Sequence, residues 1–358
     1  MNEFGFRAGA VNLLCNCAGG KAGDTVLIVG ESGSSPYFEP ELVQDLAHVS
    51  EDLGMQPVCA LAEPVASADD FPTRVTKLMN DSDVTVFLSR LGDQVRFLPV
   101  PTGGTIVMAY TLTRKHLASA FGTTNYAVTE SLLNRLVAVM SAASRYRIQS
   151  RNGTDLRSDI RIHDARSDFV PFTLKLFPTM IFPPIGICGL SGTLVIEHFT
   201  TSTSTRAYDD SVLMLSTPIR VTVEDGRMVN VTGDPDMVRA FREQCERAAR
   251  ITGGDPFRLN SWHVGVNPFT FFDGDPFDDV ERWGTVAFGS PRFTHFHAAG
   301  RDPGDLAINL FDASIGFDED WIWKDGRFAF LDGPDIRAWL DESGQSHLTS
   351  SVRHDIGI

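Results

Sequence analysis

The rhythm of apolar runs changes once along this chain, near Arg147, and that change constrains the fold more than any single motif. Before it, β-branched runs alternate with stretches of helical spacing. "AGDTVLIVGES", Ala22 to Ser32, reads as a buried strand of the parallel type. "PELVQDLAHVSEDLG", Pro40 to Gly54, follows as a helix opened by proline and stopped by glycine. "MQPVCALAE", a helix over 73–80, "SDVTVFLSRL", "GTIVMAYTL" and the helical "TESLLNRLVAVMSAASRY" continue the alternation. Strands separated by helices need crossover connections, and these give an open parallel sheet.

After Arg147 the strands shorten and meet at tight turns. "RNGTDLRSDIRIHDAR" has Asn-Gly at a hairpin turn, and "IRVTVEDGRMVNVTG" and "DEDWIWKDGRF" carry Asp-Gly. "TLKLFPTMIF", "GTLVIEHFT" and "WGTVAFG" read as further short strands, and one helix, "DPDMVRAFREQCERAAR", interrupts them. The expected class is α/β: an N-terminal open α/β domain over 1–147, then an α+β domain rich in antiparallel sheet over 148–335. A polar, partly mobile tail over 336–358 closes the chain. With 358 residues, one simple core is too small and two domains are expected.

Charge narrows the partners. Thirty-one Lys and Arg against 46 Asp and Glu give −15, with no basic run, so neither nucleic acid nor an anionic membrane surface is an expected partner. The first residues lack the apolar core of a signal peptide, and no stretch approaches the ~20 apolar residues that span a bilayer. Five cysteines, Cys15, Cys17, Cys59, Cys188 and Cys245, fit no zinc-ribbon spacing. The expectation is a reduced, cytoplasmic protein with free thiols, a catalytic cysteine being the weaker alternative. "GESGSS" lacks both GxGxxG and the GxxxxGK[ST] lysine motif, so it gives no nucleotide site. No GxSxG elbow supports serine catalysis.

Histidine carries the remaining signal. "PRFTHFHAAG" puts His295 and His297 two apart, so on a strand both leave one face, roughly 7 Å apart at Cα. His263 lies in a second strand-like run, "NSWHVGVNPF". Between them runs the acidic loop "FFDGDPFDDVERW", with Asp273, Asp275, Asp278, Asp279 and Glu281. Asp312, in "AINLFDASIGFDED", has apolar neighbours, a costly setting for a carboxylate unless it is paired or metal-bound. Two histidines and a carboxylate suit Fe(II) that must also bind a chelating substrate and oxygen. The same residues with a glutamate suit zinc, or another divalent metal or metal pair, for hydrolysis. His198 and His116 are the acid–base candidates. Trp262 and Phe269, with Phe271 and Phe272, are the candidate apolar wall for a small-molecule substrate. His48, His163, His347 and His354 lie in helical, turn or tail contexts.

The order "AGDTVLIVGES…PELVQDLAHVSEDLGMQPV", "SDVTVFL", "RNGTDLRSDI", "GTLVIE", "VTVEDGRMVNVTG" and "HVGVNP" resembles the thermophilic aminopeptidase T family of metallopeptidases. Within that superfamily it is most similar to the 2,5-dihydroxypyridine 5,6-dioxygenase branch. The resemblance runs from about Gly23 to Phe330 on strand-and-turn motifs. Where the peptidases carry a metal-binding glutamate, "WHVGVNP" has His263, which the dioxygenase branch uses as an iron ligand. That branch completes its site with His-x-Asp. In "NLFDAS", Asp312 matches the aspartate, but Leu310 stands at the histidine position, so His295 or His297 is expected to supply the missing nitrogen. The resemblance implies an Fe(II)-dependent ring-cleaving dioxygenase acting on a hydroxylated aromatic or N-heteroaromatic ring, and a homo-oligomer. A metal-dependent aminopeptidase or amide hydrolase, with Glu281 as an added ligand, and a metal-free binding protein are the alternatives.

Overall fold

The computed structural model describes residues 3–97, 103–161, 172–187, 189–203, 210–301, 304–349 and 355–358. His163, His354, Cys188 and the end of the "RNGTDLRSDIRIHDAR" stretch lie outside the described residues. The chain divides into two compact units: chiefly Met1–Ser131 with Val170–Met180, and Leu132–Phe169, Ile181–Thr203 and Tyr208–Ile358. The division falls within the helix Tyr126–Ala142, and the first unit takes back a strand from beyond Arg147.

The first unit is built on a five-stranded sheet. In spatial order its strands are Gln56–Ala62, Thr25–Glu31, Val84–Leu88, Thr105–Ala109 and Lys175–Phe177, all parallel. Val26, Leu27, Ile28 and Val29 are consecutive and fully buried, as a strand covered on both faces requires. Each such apolar side chain contributes roughly 1.5–3 kcal/mol by leaving water. The helix Glu41–Asp52 makes the first crossover and buries Leu42, Val43, Leu46, Ala47 and Val49. Its Pro40 cap and the left-handed Gly54 beyond its end follow the sequence expectation.

A buried polar group sits in this unit. Asp93 Oδ1 accepts from Tyr110 Oη at 2.8 Å and pairs with Arg96 Nη1 at 3.3 Å, all three residues being buried. Burial pushes the Asp93 carboxyl above the usual carboxylate range, and Arg96 pulls it back.

The second unit holds a thirteen-stranded sheet among the described residues, antiparallel at every pairing. Asp225 and Gly226 both have positive φ (45° and 74°) and join Ile219–Glu224 to Arg227–Thr232, the backbone a two-residue hairpin demands. Asp325 and Gly326 repeat the device at 49° and 73°. The helix Pro235–Thr252 starts where Asp234 accepts from the amides of Asp236 and Met237, and ends at Gly253.

One sequence expectation is corrected. "WGTVAFG" is not a strand: it belongs to the helix Val280–Ala287, capped by the Asp279 side chain on the Arg282 amide. Val280 and all five residues from Trp283 to Ala287 are buried, so the packing of this segment into the core outweighs its local β propensity. Trp283 packs with Phe199, Phe293, Phe311 and Ile356 in one apolar cluster. The tail therefore returns to the core. Ile356 is fully buried, and its carbonyl accepts from Trp283 Nε1 at 2.5 Å. No helix among the described residues is long and apolar enough to cross a membrane.

Candidate metal centre

Three adjacent strands of the larger sheet are Asp255–Val264, Phe293–Gly300 and Leu306–Phe311, the last two buried throughout. Register does the assembling. Ser261 lies opposite His297 and His263 opposite His295. Directly opposed residues share a face, with Cβ atoms about 4.5–5.5 Å apart, and alternate residues along a strand share it too. Ser261, His263, His295 and His297 therefore project together.

The three imidazoles form one group in which a ligand nitrogen of each lies within 4.8 Å of the others. Ring centroids are 4.1 Å apart for His263 and His295, 4.9 Å for His263 and His297, and 5.1 Å for His295 and His297. Their exposures are 1%, 3% and 2%, respectively for His263, His295 and His297. No carboxylate joins the group among the described residues.

Neighbours fix the rings. His263 Nδ1 is 3.0 Å from the Phe182 carbonyl oxygen. A carbonyl only accepts, so Nδ1 carries the proton and Nε2 keeps its lone pair, the arrangement a metal-ligating histidine needs. His297 Nδ1 is 3.2 Å from Ser261 Oγ. The His295 ring lies 4.4 Å from that of Phe288 and 5.6 Å from that of Phe293, and the Phe182 ring is 6.2 Å from His263. The walls are apolar; the donors are neutral nitrogen.

Other residues singled out in the sequence lie elsewhere. Asp312 turns the chain after Leu306–Phe311 at φ 49°. Its two carboxylate oxygens accept from Arg292 Nε and Nη2 at 2.9 and 3.2 Å, and it is not in the imidazole group. Leu310 pairs with Thr294, one position out of phase with His295, and so faces the opposite side of the sheet. Trp262 is likewise out of phase with His263; it is fully buried against Tyr146, Phe182 and Phe317. Phe269 is half-buried and stacks on His347 at 5.6 Å. His198 is exposed, with φ 64° and its ring edge-on to Phe311. His116 belongs to the first unit, where it is buried edge-on to Phe121. Glu281 accepts from Ser202 and Ser211 at 2.9 and 2.6 Å.

Sequence reasoning passed over Ser261, Phe182 and Phe288. Ser261 was legible two residues before His263 by strand alternation; the other two depend on packing that no local spacing announces.

The thiols argue for inert cysteines. Burial pushes Cys17 up to about 12 and raises Cys245, while exposed Cys59 is raised less steeply by partial burial and Glu51. Iodoacetamide on the folded protein is expected to label Cys59 and spare Cys17 and Cys245 until denaturant is added. Peptide mass mapping reads the order; early labelling of Cys17 would contradict it.

No protein-family model matches the sequence, and no curated protein does. Among solved structures, the fold is similar to 2,5-dihydroxypyridine dioxygenase from Pseudomonas putida KT2440. That match has a TM-score of 0.56 and 12% identity, over 93% of this chain and 97% of that one. It is also similar to AmpT from Thermus thermophilus, with a TM-score of 0.51 and 12% identity, over 92% of this chain and all of that one. At such identity the likeness is one of fold.

Proposed function

We propose that this protein is a divalent-metal enzyme and, more specifically, a non-haem Fe(II) dioxygenase that opens the ring of a hydroxylated aromatic or N-heteroaromatic small molecule. One observation carries the reading: three buried imidazoles on one sheet face, with no grouped carboxylate among the described residues. Imidazole suits iron, zinc, copper and nickel, and three such donors leave coordination positions open, so His263, His295 and His297 fit a metal that must also take substrate. Ferrous iron bound there supplies Lewis acidity toward a ring hydroxyl and electrons for oxygen.

The chain's own residues do the rest. His263 is held in its Nε2-ligating tautomer by the Phe182 carbonyl, and Ser261 steadies His297. Phe182, Phe288 and Phe293 exclude water and offer flat surfaces to a flat ring. Among the described residues, the group contains no carboxylate to assist an activated water as a general base in amide hydrolysis. A zinc hydrolase remains the second reading, favoured by the neutral three-imidazole set, which suits zinc as well.

Anaerobic reconstitution separates the two. We expect about one iron per chain, with oxygen uptake and loss of ring absorption on a panel of dihydroxylated pyridines and benzenes. Zinc retention with amide hydrolysis and no oxygen uptake would overturn the iron reading. A folded protein that takes up no metal would overturn both.

A further inference from the structure

A fourth polar residue shares the face of the imidazoles. In the pairing of Phe293–Gly300 with Leu306–Phe311, Asn309 stands directly opposite His295. His263 flanks His295 on one side and Asn309 on the other, three strands in one row. Asn309 is 1% exposed. Its Nδ2 donates to the Phe199 carbonyl oxygen at 3.3 Å. Because that oxygen only accepts, the amide cannot be turned over, and Oδ1 is held as an acceptor. Oδ1 is buried and has no hydrogen-bond partner among the described residues.

A buried acceptor without a donor is uncommon and destabilising. An apolar side chain of the same shape would avoid that cost, so the oxygen asks for a donor that comes and goes. The imidazole face next to it is where such a donor would arrive. A metal held by those imidazoles would carry two kinds of O–H to this face, bound water and the hydroxyl of a ring ligand. A doubly deprotonated ligand offers no donor at all.

We infer that Asn309 Oδ1 accepts the O–H of the group bound at the imidazole site, and that it selects hydroxylated rings that keep one hydroxyl proton. The inference rests on the metal-site reading above and deepens it: Asn309 is a specificity residue, and the three histidines hold the ion without it.

The test uses the whole protein loaded with Co(II), and two probes read by visible absorption: 4-nitrocatechol, which can keep one O–H, and azide, which has none. Asn309→Leu is expected to retain about one metal per chain and its azide affinity. Its affinity for 4-nitrocatechol should fall about tenfold, the upper end for one neutral hydrogen bond. The O-methyl ether of the same catechol should lose much less on the substitution, since its donor is already gone. Unchanged 4-nitrocatechol binding overturns the inference, and so does loss of metal from a folded variant, which would make Asn309 a ligand. Asn309→Ala removes the same oxygen with less bulk and carries the test if the leucine variant does not fold. Failure of the folded, unsubstituted protein to take up Co(II) would instead overturn the metal reading, whatever the Asn309 variants do.

Discussion

Replacing His263 by alanine is expected to abolish stoichiometric metal uptake while leaving the protein folded. The imidazole is one of three grouped donors among the described residues, its tautomer is set by the Phe182 carbonyl, and no described carboxylate joins the group to stand in for it. Losing one of three ligands should weaken binding by at least about a hundredfold, beyond the 10–100-fold typical of removing a mere orienting partner. His295→Ala and His297→Ala should behave alike, since all three nitrogens lie within 4.8 Å. Asp312→Asn should leave metal content intact, because that carboxylate is occupied by Arg292. Elemental analysis after gel filtration reads all four. Full metal in any single histidine variant would remove that residue from the site.

The second large effect lies in the other unit. Arg96→Met is expected to destabilise the first unit by about 3–5 kcal/mol at neutral pH, because it leaves the buried Asp93 carboxylate without its cation. The pH dependence follows from the direction of the Asp93 shift. Its folded carboxyl is raised, so the folded state holds the proton more tightly than the unfolded chain does, and stability falls as pH rises through that window. Removing Arg96 removes the largest influence that pulls the carboxyl down, leaving the Tyr110 hydrogen bond and the more distant Arg90, and so widens the window upward. The deficit of the variant should therefore shrink as pH is lowered from neutrality toward about 4, near the ordinary aspartate value. Denaturant melts at several pH values measure it; a deficit that grows on acidification would contradict the account.

Much of this was legible in the sequence, for physical reasons that can be named. Helix-strand alternation required crossovers, and crossovers required a parallel sheet; Asp225-Gly226 and Asp325-Gly326 announced their turns because glycine, with asparagine and aspartate, tolerates positive φ most cheaply. The pair His295 and His297 announced a shared face through a spacing of two. That His263 lies opposite His295 could not be read, since register between strands far apart in sequence is settled by the whole sheet. The same gap concealed Asn309. By sequence position Leu310 stood where a histidine was sought, yet one step of strand alternation turns Leu310 away from the imidazoles and Asn309 toward their face. "WGTVAFG" misled because threonine and valine favour strands locally, while Trp283 needed the apolar cluster it now fills.

All three imidazoles hang from two neighbouring strands, His263 next to the end of one and His295 and His297 within the other. Backbone ladders thus fix the nitrogen cage, and the bordering loops are at liberty to vary in length and chemistry. Descendants of such a chain could rewrite the rim while keeping the three nitrogens where the ladder put them.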